Sequence, residues 1–186
     1  MFSKSQEGVL TDLAWSNLTA NNINLIRYAD VLLWAAEVEV EIGDLNKARD
    51  YVNQVRRRAA DPSGWVHTYI DPNKPELGFT NIPAADYKVG EYTSPWTDKS
   101  FALKAVRYER MLELGMEGHR FFDLVRWNIA DVEIAAYKEK EKLKRTYLAE
   151  LQFTKNKSEY FPIPQTQIDL SAGPDGIPKM KQNPGY

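Results

Sequence analysis

Apolar residues recur every three or four positions from Ile26 onward: Ile26, Ala29, Leu33, Ala36 and Val40 fall on one helical face. Gly43-Asp44 interrupts this pattern. Glycine accommodates the left-handed end of a helix, and aspartate accepts from the free N–H groups that begin the next one. A second helix is therefore expected over Leu45–Ala59, with Ala48, Tyr51, Val52, Val55 and Ala59 inward. Asp61-Pro62-Ser63-Gly64 ends it. Further on, a helix is expected over about Lys99–Met116, capped by Asp98 or Ser100, with a break at Gly118. Phe121 to Trp127 continues helically, and a last helix runs from Asp131 to about Leu148. The chain thus reads as mostly α.

The first two helices span roughly the 34 residues of a tetratricopeptide-like unit. One such unit cannot bury its own apolar face. Uncovered apolar surface is expected around Leu25, Leu32 and Trp34. Trp34 and Trp127 themselves lie within helical patterns and read as core or helix-interface residues. Residues 1–22 are polar and read as an irregular lead-in to a single domain over 23–186. That domain comprises the helix pair (23–60), a long loop (61–98), helices (99–148) and an extended tail (152–186). The loop holds five prolines and three glycines, and a loop of such length in a compact domain is usually functional. Tyr160-Phe-Pro-Ile-Pro164 excludes a helix there, because proline lacks a donor and pushes its predecessor toward extended backbone.

Charge enters the apolar pattern between Arg107 and Trp127. Arg107, Glu109, Arg110, Glu113, Arg120, Asp123 and Arg126 sit among apolar residues at spacings of three and four. Residues so spaced are neighbours on a helix, so both signs are expected to interlock across Gly118 as a structural cluster. Arginine pairing is also expected to lower the carboxylate pKa values and remove the raised-pKa acid that glycosidase chemistry needs. The run Lys138-Glu-Lys-Glu-Lys-Leu-Lys-Arg145 reads as a solvated helix face.

Composition narrows function by exclusion. The 186 residues carry a formal net charge of −2 with mixed signs, which argues against a nucleic-acid binder working through a basic face. There is no cysteine, hence no disulfide or thiol chemistry. No stretch of about 18 apolar residues suggests a membrane span, and Met1–Gly8 does not resemble a signal peptide. The two histidines, His67 and His119, lie far apart, and no HExxH, phosphate-binding glycine loop or nucleophile elbow is present. No metal, cofactor or catalytic set is expected.

The long loop is rich in flat rings: Trp65, Tyr69, Phe79, Tyr87, Tyr92 and Trp96. Such faces suit the C–H patches of sugar rings, and Asn73, Asn81, Asp86 and Asp98 offer partners for hydroxyls. Trp65, Tyr69, Tyr92 and Trp96 are the candidate ligand-binding residues, with Trp96 and Trp65 expected to be the most exposed. The competing reading is that these rings pin the loop to the helices.

Three blocks in order resemble the C-terminal part of SusD/RagB-type proteins. The first is Ile26-Arg27-Tyr28-Ala29-Asp30-Val31-Leu32-Leu33 with Ala35-Ala36-Glu37. The second is Glu109-Arg110-Met-Leu-Glu113-Leu followed by Glu117-Gly118-His-Arg120-Phe-Phe-Asp123-Leu-Val-Arg126-Trp127. The third joins Tyr160-Phe-Pro-Ile-Pro164 to the terminal Gln182-Asn183-Pro184-Gly185-Tyr186. The resemblance implies a non-enzymatic, surface-exposed lipoprotein of the bacterial outer membrane. Such a protein captures a glycan or other nutrient and hands it to a SusC-like TonB-dependent transporter. It implies further helix pairs upstream, a lipid anchor outside this chain, and Tyr186 as a true terminus. The alternative is a helical protein-interaction module without sugar binding.

Overall fold

The computed structural model describes residues 25–186. The lead-in expected over residues 1–22 lies outside them. The chain divides into two compact units, Met1–Glu113 and Leu114–Tyr186. As expected, the architecture is mostly helical.

In the first unit, α1 (Tyr28–Ile42) and α2 (Leu45–Ala60) form the anticipated pair. Ala29, Leu33, Ala36 and Val40 are buried on α1, as are Ala48, Val52 and Val55 on α2. Ile26 instead precedes the helix and is 61% exposed. Asp44 caps α2 by accepting from the amides of Asn46 (2.7 Å) and Lys47 (3.2 Å). Gly43 does not have the conformation expected of it. Its φ is −124°, not left-handed. A Cβ there would collide with the carboxylate of Glu39, which folds over the turn to reach the Asp44 amide (3.1 Å) and Lys47 (2.5 Å).

α3 (Lys99–Glu113) packs against both α1 and α2. Asp98 accepts from the Ser100 amide at 2.8 Å, which settles the cap in its favour. Ala102, Ala105 and Val106 join Leu33, Ala36, Val52 and Val55 in one core. Within it lies a buried ion pair: Arg110 donates to Asp30 at 2.7 Å, and both side chains are essentially inaccessible. Leu32, expected at the surface, is buried in this core. Trp34, expected in the core or at a helix interface and also within the uncovered apolar surface, is 39% exposed, with the Arg110 guanidinium 5.8 Å from its ring centre.

The segment 61–98 is not wholly irregular. It contains a two-stranded antiparallel hairpin, β1 (His67–Tyr69) with β2 (Phe79–Pro83), pairing His67 with Pro83 and Tyr69 with Phe79. Pro83 at the end of a two-stranded ribbon removes no interior ladder bond. The segment then returns along α2, held by two asparagines one heptad apart. Asn53 donates to the Tyr92 carbonyl (3.0 Å) and accepts from its amide (2.8 Å), and Asn46 accepts from the Trp96 amide (3.1 Å). These side chains substitute for a neighbouring strand, so backbone without regular structure can lie against the core.

In the second unit, α4 (His119–Arg126) follows Gly118, whose φ of +83° lets the chain break and restart there. α5 (Ala130–Glu141) stops seven residues short of the expected Leu148, which instead lies in a 3-10 turn, Thr146–Glu150. The tail, expected to be extended, contains a short α6 (Gln165–Leu170). Its prolines leave Phe161 and Ile163 carbonyls without a ladder, and the terminal residues supply one. Gln182 both accepts from the Ile163 amide (2.7 Å) and donates to its carbonyl (2.8 Å). Asn183 donates to the Phe161 carbonyl (2.6 Å), and the Tyr186 hydroxyl to the Tyr160 carbonyl (3.1 Å).

Candidate functional site

The aromatic residues of segment 61–98 separate into an inner and an outer set. Tyr92 and Trp96 belong to the inner one. Trp96 is only 4% exposed and lies in the core. It meets Tyr92 edge-on at 5.2 Å and Phe101 of α3 at 5.8 Å. The expectation that Trp96 is among the most exposed rings is therefore wrong: the bond from its amide to Asn46 seats it between α2 and α3, with no face free for a sugar. Tyr92 is half-buried beside it, with Arg56 5.0 Å from its ring centre, and burial pushes its phenol above the ordinary value.

The outer set comprises two stacked pairs. Tyr69 and Phe79 face each other across the hairpin at 4.9 Å, and both remain nearly half exposed. On the other strand faces, the Thr68 and Thr80 hydroxyls lie 2.6 Å apart. Trp65 stacks on Tyr87 at 4.8 Å. Its indole N–H donates to the Ala59 carbonyl near the end of α2 (3.1 Å), and the Tyr87 hydroxyl accepts from the Val66 amide (3.2 Å). Trp65 is thus half-buried and partly an anchor for the loop. Phe79 and Tyr87 stand out only once strand pairing is known, since nothing in their spacing places them opposite Tyr69 and Trp65.

The polar candidates have mixed fates. Asn73 and Asn81 are exposed near the hairpin. Asp86 pairs with Lys88 at 2.7 Å, and Asp98 is committed to capping α3.

The charged cluster has partners that local spacing could not name. Glu109 accepts from Arg56 of α2 at 2.7 Å. Glu113 is bonded by Arg27 and, at 2.6 Å, by Arg58. Arg110 pairs with Asp30, while Arg107 is half-buried on α3. In the second unit, Asp123 accepts from Arg126 at 2.9 Å and Arg120 approaches Glu133 at 3.4 Å. The guanidinium groups of Arg126 and Arg120 lie 4.8 and 6.0 Å from the half-buried Trp127 ring. The expected lowering of carboxylate pKa does not hold for Glu109. Burial raises it, and the hydrogen bond from Arg56 only partly offsets that effect.

Among the described residues, no group of three or more His, Cys, Asp or Glu is placed to hold a metal ion. Nor is any helix long and apolar enough to cross a membrane.

The first unit is thus a helix pair closed by a third helix, with an aromatic hairpin in the segment between α2 and α3. This chain belongs to the SusD family, whose model matches residues 9–186. It is similar to SusD-like protein P38 of Formosa agariphila, with 33% identity over 112 residues, 59% of this chain and 18% of that protein. SusD-like protein P25 of the same organism is 32% identical over 111 residues, 59% of this chain and 16% of that protein. The chain thus matches less than a fifth of the length of these relatives.

Proposed function

We propose that this chain serves nutrient capture at the bacterial outer membrane, binding a glycan without covalent chemistry and delivering it to a SusC-like TonB-dependent transporter. Membership of the SusD family over residues 9–186 carries this reading. The outer aromatic set supplies the contact surface. The exposed Tyr69–Phe79 stack offers apolar ring faces, Trp65 and Tyr87 extend it, and Asn73 and Asn81 supply hydroxyl partners. Tyr92 and Trp96 hold this surface to the helices. Catalysis has no part in the reading.

A second reading, a protein-interaction module, draws on one observation. The face of α1 opposite its core side is also apolar: Tyr28, Val31, Trp34, Val38 and Ile42 are all exposed. A helix apolar all round is normally covered on both sides. A glycan array probed with the wild-type chain, Tyr69→Ala and Trp65→Ala separates the readings. Capture predicts sugar binding that Tyr69→Ala abolishes. An interaction module predicts no sugar binding and partner-protein retention that Val38→Asp abolishes.

A further inference from the structure

Within the second unit, α5 and the irregular segment 151–154 bound a cleft of about 400 Å³. That volume lies at the small end of the roughly 300–1,000 Å³ typical of small-molecule sites. Asp131, Ile134, Ala135 and Lys138 form one wall, and their spacing of three and four places them on one face of α5. Residues 151–154 form the other wall.

The two walls are tied at both ends. Lys138 donates to the Leu151 carbonyl at 2.8 Å, and Lys155 pairs with Asp131 at 3.3 Å. All three charges at the cleft are thereby engaged. Between the ties the lining carries no charge, and the half-buried Ile134, Leu151 and Phe153 make it apolar.

The segment also has backbone groups to spare. The Leu151 amide donates to the Leu148 carbonyl (3.1 Å), and the Thr154 amide to the Ser158 hydroxyl (2.9 Å). The N–H and C=O groups of Gln152 and Phe153, between them, bond to no described residue. Backbone groups that the chain leaves unpaired take their partners from water or a ligand. Two residues are too few for a peptide strand to pair along, because the bonds of one strand edge fall on alternate residues. They suit a compact ligand that combines an apolar face with several hydroxyls.

We propose that this cleft is a second carbohydrate site, taking one uncharged sugar residue. The sugar's C–H face lies on Phe153 and Ile134, and its hydroxyls meet the backbone of Gln152 and Phe153. That the ligand is a sugar rests on the capture reading; that it is small, uncharged and amphiphilic rests on the cleft alone. A contact of this size is expected to bind at about 1 mM. It is therefore read in solution and escapes an array, from which complexes so weak wash away.

The test is amide NMR of the isotope-labelled whole chain, titrated with neutral trisaccharides of glucose, galactose and mannose and with a galacturonate trisaccharide. Wild type, Phe153→Ala, Ala135→Gln and Tyr69→Ala are compared. Ala135 is exposed on α5, so Ala135→Gln fills the cleft while keeping a good helix former. At least one neutral sugar is expected to shift the Gln152 and Phe153 amides saturably, and added salt to leave that binding unchanged. Phe153→Ala and Ala135→Gln should each weaken it about tenfold, and Tyr69→Ala should not. Shifts in the hairpin with none over 151–154 overturn the cleft and leave the capture reading standing. Shifts over 151–154 that Ala135→Gln leaves intact overturn it as well. Tighter, salt-sensitive binding of the galacturonate there overturns the uncharged ligand. Shifts over 151–154 alone uphold the cleft and remove the hairpin from sugar binding. Absence of shifts in both places overturns both readings.

Discussion

Tyr92 with Trp96 and Tyr69 with Phe79 are two aromatic pairs from the same proline-rich segment, and they do opposite things. The first is drawn into the core because Asn46 and Asn53 hold the backbone around it against α2. The second lies on a ribbon whose only ladder among the described residues is its own, and its rings face each other and stay nearly half exposed. Composition does not distinguish them. What separates an aromatic residue that holds the fold from one available to a ligand is where its backbone hydrogen bonds go.

Substitutions that break this contrast have a clear order. Trp96→Ala should have the largest effect, a loss of about 3–5 kcal/mol of unfolding free energy in a denaturant titration. Asp30→Ala should cost a comparable or slightly smaller amount, about 3–5 kcal/mol, because it removes the carboxylate partner of Arg110 in the core. Asn53→Ala removes both bonds to Tyr92 and should cost about 1–3 kcal/mol. It should also speed amide exchange around Tyr92 while leaving the hairpin unchanged. Tyr69→Ala should fall below about 1 kcal/mol, since the ring is nearly half exposed. A Tyr69 effect as large as that of Trp96 would erase the distinction.

The smallest effect concerns pH. Burial holds the Glu109 carboxyl above its ordinary value near 4.5. The folded chain therefore takes up this proton at a higher pH than the unfolded chain. The resulting stabilisation is fully present below the unfolded value and is lost as pH rises through the folded one. Unfolding midpoints of wild type and Glu109→Gln between about pH 4 and 7 should show wild type gaining on the variant as pH falls. A difference flat with pH would contradict this.

The helices were legible because α1, α2 and α3 each place apolar residues at a period that burial then uses, and Asp44 and Asp98 cap by purely local chemistry. The hairpin was not, since β1 and β2 are three and five residues long and a nine-residue connection lacks a tight-turn signature. The burial of Trp96 is not legible in the sequence because it depends on asparagines about 40–50 positions away. The partners of Glu109 and Glu113 are likewise distant, on α2 and at Arg27. The terminal motif was recognised as a block, yet its purpose, closing the hydrogen bonds of the Tyr160–Pro164 segment, emerges only in three dimensions. For the candidate site, the aromatic segment was readable and the sorting of its rings was not.

The central claim, that the outer rings bind and the inner rings hold the fold, is tested most directly by the double variant Tyr69→Ala/Phe79→Ala. It is measured on a glycan array and by thermal unfolding, alongside wild type. The account predicts loss of every sugar signal that wild type gives, with an unfolding midpoint within about 4 °C of wild type. Sugar binding that survives both substitutions, or a collapse in stability like that of Trp96→Ala, would contradict it.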